Sequence, residues 1–337
     1  MEIINEMLNN LLPLLSASTG IFTIYITSNI TRSLKVGKQN KKRNWSLSKQ
    51  IPSISGETYK PIEYAKFDKN ELKKLQSILE RTKYPQELED IIQEFKKKVS
   101  PENFQTCLRN LKYVKIEQTT LENDAKTFIT NLLSLTPYTG YYNPYYNLIK
   151  INSSIIKRNV LTHEFLHMAS AKDELNCGFQ CITRFNNQEI GRGINEGYTE
   201  LLNHRIFGSR SLSYFHNVKI TKLFETFFNN PKDMENAYFH GDFETLYRVF
   251  SQYGSKEEFF EIMNNLDNLA TTKIPIYNTI NSIKTQLKLY KIVKRCKDVN
   301  KIKQFESILD QNPLTKILRS GQKITLANKP TLKAKTK

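Results

Sequence analysis

Two short stretches decide the reading of this chain: His163-Glu164-Phe165-Leu166-His167 and Gly193-Ile194-Asn195-Glu196-Gly197-Tyr198-Thr199-Glu200. In the first, Val160, Leu161, Phe165, Leu166, Met168 and Ala169 surround the two histidines with apolar side chains. On a helix, positions i and i+4 share a face, so both imidazoles point the same way. That separation suits two ligands of one tetrahedral zinc, with Glu164 placed beside it as a base. In the second stretch, Ile194, Tyr198, Leu201, Leu202 and Ile206 give helical periodicity. Glu196 and Glu200 then share one face, where two carboxylates repel unless a cation neutralises one. A zinc beside Glu196 and an imidazole N–H beside Glu200 would do so; a solvated acidic face is the plain alternative.

Outward from these stretches the pattern is mostly helical. Asp68-Lys-Asn-Glu71 reads as a capping box opening a helix toward Arg81. Pro85 starts another, running to about Lys98, and Glu122 to Leu135 is helical. Tyr113–Ile116 and Leu148–Ile151 read as strands, with a turn-rich, Tyr-rich segment from Pro137 to Tyr146 before the second. Asn152, Ser153 and Ser154 are good caps for the helix that carries His163. Beyond residue 208 the chain reads as helices with short loops, to about Gln311. The expected fold class is therefore α+β, mainly helical. A small sheet precedes the His163 helix, the C-terminal half is helical, and a cleft between the two parts holds the site.

With 28 residues between His167 and Glu196, the two stretches together resemble the gluzincin clan of zinc metallopeptidases, of which thermolysin is the familiar member. The clan's pattern is HExxH on one helix and Asn-Glu-x-x-x-(Asp/Glu) on a following one. His163, Glu164, His167, Asn195, Glu196 and Glu200 match it, and the wording NEGYTE is closest to small bacterial gluzincins. The Gly140–Tyr142 turn and the strand before the HExxH helix look similar as well, so the resemblance covers roughly residues 110–265. It implies a zincin-like metallopeptidase domain with one Zn2+ per chain, ligated by His163, His167 and Glu196, and Glu164 as general base. It also implies that Glu200 holds a ligand histidine, His163 by preference, and that Asn195 does the same for His167. The strand Leu148–Ile151, read as an edge, is expected to hold an extended peptide by strand addition. In this clan a His, Tyr or Arg often stabilises the oxyanion. His240, Tyr198 and Tyr238 are candidates here, with His204, His216 and Tyr214 also open. Nothing corresponds to the clan's calcium sites or secretion apparatus.

The remaining composition bounds the alternatives. At 337 residues, 39% hydrophobic and 25% charged, the chain can bury a core without disulfides. Its four cysteines are scattered, and the Cys177–Cys181 spacing suits neither a zinc ribbon nor a redox motif. Reduced thiols and a cytoplasmic location follow. The net charge of +17 is concentrated in residues 31–50 and 315–337, each with seven cations and no acid. No nucleic-acid reader motif accompanies them, so no specific nucleic-acid partner is expected, only weak contact with a membrane or another anionic surface. Residues 11–30 carry no charge and are just long enough to span a bilayer, though diluted by polar residues; a buried helix and strand is the alternative to an anchor. The expected division is an apolar segment with basic linker over 1–50, a gluzincin-like catalytic domain over 51–312 and a basic, disordered tail over 313–337. The partner is a peptide or protein substrate. Two further readings stay open: a regulatory or phage-type metallopeptidase specific for one partner, and an inactive zinc-binding module.

Overall fold

The computed structural model describes residues 67–118, 140–151, 157–183, 188–209, 214–272, 275–311 and 315–316. The N-terminal part begins with helix α1 (Lys69–Arg81), whose first turn is held by Asp68: its carboxylate accepts from the N–H groups of Asn70 and Glu71 at 2.8 and 3.2 Å. Only this half of the expected capping box forms. Glu71 instead turns to Arg109, which donates to it at 2.9 and 2.8 Å. Helix α2 (Gln86–Lys98) follows Pro85 as expected and buries the stripe Leu88, Ile91, Ile92 and Phe95. Helix α3 (Pro101–Leu111) was not anticipated, although Ser100 caps it through the Asn103 N–H and Pro101 occupies its first position.

A three-stranded sheet precedes the His163 helix. Strand β1 (Lys115–Gln118) lies two residues later than expected, and Tyr113 is exposed. Strand β2 (Gly140–Asn143) forms inside the segment read as turns. Strand β3 (Leu148–Ile151) pairs parallel with β1 and antiparallel with β2, giving the order β1-β3-β2. β3 is therefore central, not an edge, and its ladder positions are taken on both sides. The edge next to the site is β2. Alternation sends Ile149 and Ile151 into the core.

Helix α4 (Arg158–Ala169) carries His163 and His167. Lys157 occupies its N-cap position without a side-chain bond; the expected caps Asn152, Ser153 and Ser154 lie outside the described residues. A second small sheet, β4 (Asn176–Cys177), β5 (Gln180–Thr183) and β6 (Gln188–Ile190), leads into helix α5 (Arg192–Phe207), which carries Glu196. The described cysteines are all free thiols.

Helices α6 (Phe215–Glu225), α7 (Pro231–Phe239), α8 (Phe243–Phe250), α9 (Lys256–Thr271), α10 (Pro275–Arg295) and α11 (Val299–Leu309) complete the C-terminal half. Phe224, Phe227, Phe250, Phe259 and Phe305 interlock there in edge-to-face and stacked pairs. Lys301 is buried because its ammonium caps the end of α6, donating to the Thr226 and Phe227 carbonyls at 2.9 and 3.1 Å. One continuous core runs from α2 through α4 and α5 to α11. The molecule is thus mainly helical with small sheets. Among the described residues no helix is long and apolar enough to cross a membrane. The apolar segment 11–30, the expected helix 122–135 and nearly all of the basic ends lie outside the described residues.

Candidate metal centre

α4 and α5 are the two central helices, and both are buried nearly all round: Leu161 to Ala169 on one, Gly193 to Asn203 on the other. A helix in that position has almost no solvated face, so polar side chains on it need partners inside the protein. The partners of His163, His167 and Glu196 are one another. His167 Nε2 lies 3.0 Å from His163 Nε2, and Glu196 Oε2 lies 3.2 Å from His163 Nε2 and 3.4 Å from His167 Nε2. Three donors each about 2.05 Å from one ion stand about 3.3 Å apart at the corners of a tetrahedron. The observed triangle has those edges, so a His-His-carboxylate ion fits between the three atoms with almost no movement.

Other side chains hold the rings from behind. Glu200 Oε1 lies 3.0 Å from His163 Nδ1, in a close contact that is not a well-aligned hydrogen bond. Asn195 Nδ2 faces His167 Nδ1 at 3.3 Å while Asn195 Oδ1 accepts the Phe179 N–H at 3.0 Å. Ligation through Nε2 would leave Nδ1 of His167, the nitrogen that faces Asn195, free for this contact. Cys177 Sγ donates to the His167 carbonyl at 3.0 Å. Between these residues Gly178 has φ +54, and a Cβ there would stand 2.2 Å from Asn195 Oδ1. The segment Cys177–Phe179 thus underpins His167 and Asn195. Read as a pair of scattered thiols, it gave no sign of this.

Burial and charge oppose each other in the cluster. Burial pushes the His163 imidazolium down, but the Glu196 and Glu200 carboxylates outweigh it and hold its pKa up at about 9. His167 behaves alike: burial opposes the proton, and the Glu196 charge and the Cys177 contact more than restore it. Glu196 moves the opposite way; burial would raise its carboxyl, and the two imidazoles hold it well below the carboxylate range. Glu164 is raised, mainly by burial, with the His163 and His167 charges offsetting part of the effect. A buried carboxylate with a raised pKa is suited to take up and release a proton.

The five acidic and imidazole residues are 7–8% exposed, whereas Tyr198 and Tyr238 are at 0%. That difference removes two expected candidates from the site's open side. Tyr198 lies two positions from Glu196, which on a helix is the opposite face. Tyr238 packs against Phe179 and Tyr198, and its hydroxyl pairs with Thr199 Oγ1 at 2.7 Å. His240 stands at the end of α7, where its Nδ1 pairs with the Asn236 carbonyl at 2.8 Å. Tyr214 stacks on His163, with 6.1 Å between the ring centroids and 13° between the planes. It enters α6 with φ 55, which sequence periodicity does not reveal. A separate cleft of about 370 Å3 lies at the far end of α5, lined by Lys98, Leu202, Arg205, Pro231, Lys232 and Glu235. Its cations are already matched: Lys98 to Glu94, Arg205 to Glu225 and Lys232 to Glu235.

Comparison of the chain with family models, with curated proteins and with solved structures gives no match.

Proposed function

We propose that this chain is a zinc-dependent peptidase of the gluzincin kind, acting on extended peptide or protein segments. The observation that carries the reading is the triangle of His163 Nε2, His167 Nε2 and Glu196 Oε2, with edges of 3.0, 3.2 and 3.4 Å, and the buried Glu164 carboxyl beside it. His163, His167 and Glu196 hold the ion. Zinc, when bound, supplies a Lewis acid that polarises a carbonyl and lowers the pKa of water. The choice of zinc rests on the two nitrogens and one oxygen of the donor set, which leave a fourth tetrahedral position open. The four free thiols suit a reducing compartment, and the cytoplasm is the proposed location.

The chain's own residues do the proton work. Glu164 takes a proton from the attacking water and passes it to the leaving amine nitrogen. Glu200 and Asn195 fix the two ligand rings. The substrate lies along β2. β2 is an edge of its sheet, in the order β1-β3-β2, and it packs against the helix that carries His163 and Glu164. Tyr214, stacked on His163, serves as the donor to the oxyanion.

The decisive experiment compares wild type with Glu164→Gln for zinc content and for cleavage of a peptide pool. The expected result is about one zinc per chain in both proteins and chelator-sensitive cleavage in wild type alone. Hydrolysis that survives complete zinc removal, or a wild type that takes up no zinc, overturns the proposal.

A further inference from the structure

Two of the three metal donors come from α4 and the third from α5, so the donor triangle depends on how α5 is seated. α5 does not secure its own start. Gly191, in its N-cap position, has φ 79 and offers no side-chain cap. The cap comes from α9. Asp267, 1% exposed, accepts the Gly193 N–H on Oδ1 at 2.8 Å and the Gly191 N–H on Oδ2 at 3.3 Å, across 74 and 76 residues of chain. These are the donors that a helix's own capping side chain usually satisfies, and the carboxylate sits at the positive end of the helix. Asn217 on α6 completes the clamp, its Nδ2 donating to the Gly193 carbonyl at 3.0 Å and the Leu266 carbonyl at 2.9 Å. Gly193 makes this approach possible: a Cβ there would stand 2.1 Å from the Leu266 carbonyl. Asn195 and Glu196 follow within one turn.

We infer that Asp267, braced by Asn217, is a positioning residue for the metal site: it sets where Glu196 stands relative to His163 and His167. The inference rests on the metal reading above. Asp267 acts through the first turn of α5, by way of the Gly191 and Gly193 N–H groups. Without it, that turn loses two N–H acceptors and the charge at its end, and Glu196 loses its fixed distance from α4.

The test separates positioning from general stability. Zinc affinity is measured by competition with a chromophoric chelator, and the cobalt(II)-loaded proteins are compared by visible absorption. The gain in Tm on adding zinc at fixed free concentration is the third readout. The proteins are wild type, Asp267→Ala, Asp267→Asn, and Lys301→Met as a destabilised control whose buried cap lies at the other end of α6. The expected result is zinc binding weakened about tenfold in Asp267→Ala, as for residues that orient ligands. A smaller loss is expected in Asp267→Asn, which keeps one oxygen acceptor, with a shifted cobalt spectrum and a reduced zinc-induced Tm gain in both. Lys301→Met is expected to lower Tm with wild-type zinc affinity. If Asp267→Ala does not fold, Asp267→Asn decides. Asp267 variants with lower Tm but wild-type affinity and cobalt spectrum overturn the inference. A wild type that binds neither metal overturns the metal reading itself, and the inference with it.

Discussion

Acidifying the solution from well above pH 9 to pH 7 is expected to weaken zinc binding about a hundredfold through His163 alone. In the metal-free cluster, burial works against the His163 proton, but Glu196 and Glu200 prevail and keep it bound up to about pH 9. A cation takes the Nε2 lone pair only when that proton has left. Two pH units below the pKa therefore cost about two factors of ten, or about 2.7 kcal/mol. His167, also raised, adds to the slope, so the logarithm of affinity rises by between about one and two per pH unit. The linkage in the metal-free protein has the opposite sign. A raised imidazole pKa contributes stability that is complete below about 6.5 and is lost as pH climbs through about 9. The assay is chelator competition at intervals across this range, with calorimetry in two buffers of different ionisation enthalpy to count released protons. Glu200→Gln removes one of the two carboxylates and should move the upper plateau to lower pH. Affinity that is flat between pH 7 and 8.5, with no proton released, would refute the reasoning, because it would mean that neither ring carries a proton in the metal-free protein.

Other substitutions test the packing and the aromatic assignments. Gly193→Ala gains up to about 1 kcal/mol of helix propensity but drives a methyl into the Leu266 backbone; a net loss of about 1–2 kcal/mol is expected from overpacking, and an unchanged urea midpoint would contradict it. Tyr214→Phe should lower kcat by about a hundredfold and leave zinc content intact; equal kcat would remove Tyr214 from the mechanism. Tyr238→Phe should cost about 1 kcal/mol through its lost bond to Thr199, whereas Tyr198→Phe removes a buried hydroxyl without a hydrogen-bond partner and should be neutral or stabilising. Thermal unfolding checks both, and a drop in kcat without loss of zinc in either would return that tyrosine to the catalytic list.

Local features were legible in the sequence where the chain itself supplies the partner. Pro85 opens α2, and Asp68 caps α1, because both act within one turn. The i and i+4 spacing set His163 beside His167 and Glu196 in line with Glu200, because helix geometry alone dictates those faces. Features that depend on a distant partner were not legible. Glu71 left its capping box for Arg109, 38 residues away, where a guanidinium offers two charge-assisted hydrogen bonds. Alternation identified Leu148–Ile151 as a strand but carries no record of neighbour order, so an interior strand passed for an edge. β2 was hidden because Gly140 and Asn143 carry turn propensity; the glycine is there because a Cβ would meet Val160 at 2.7 Å as the strand presses on α4. Asp267 has no signature at all, since its partners are backbone groups 74 and 76 residues away.

The same electrostatics would let the proposed metal site stay folded without an ion. Two carboxylates, Glu196 and Glu200, face two imidazoles inside the core, and an uncompensated buried charge is strongly destabilising. In the metal-free protein the raised proton affinity of His163 and His167 supplies up to two positive charges against them. With an ion held by His163, His167 and Glu196, both rings would be neutral and the divalent ion would supply the same two charges. Exchanging two protons for one ion thus leaves the buried charge of the cluster unchanged. The aromatic core around α5 and α6 contains none of the proposed metal ligands. The protein is then expected to fold before it takes up metal, and pH, not folding, governs loading. Circular dichroism of the chelator-treated protein at pH 7 checks this: native helix content with a cooperative melt is the expected result, and an unfolded chain would mean that the ion is needed to hold α4 against α5.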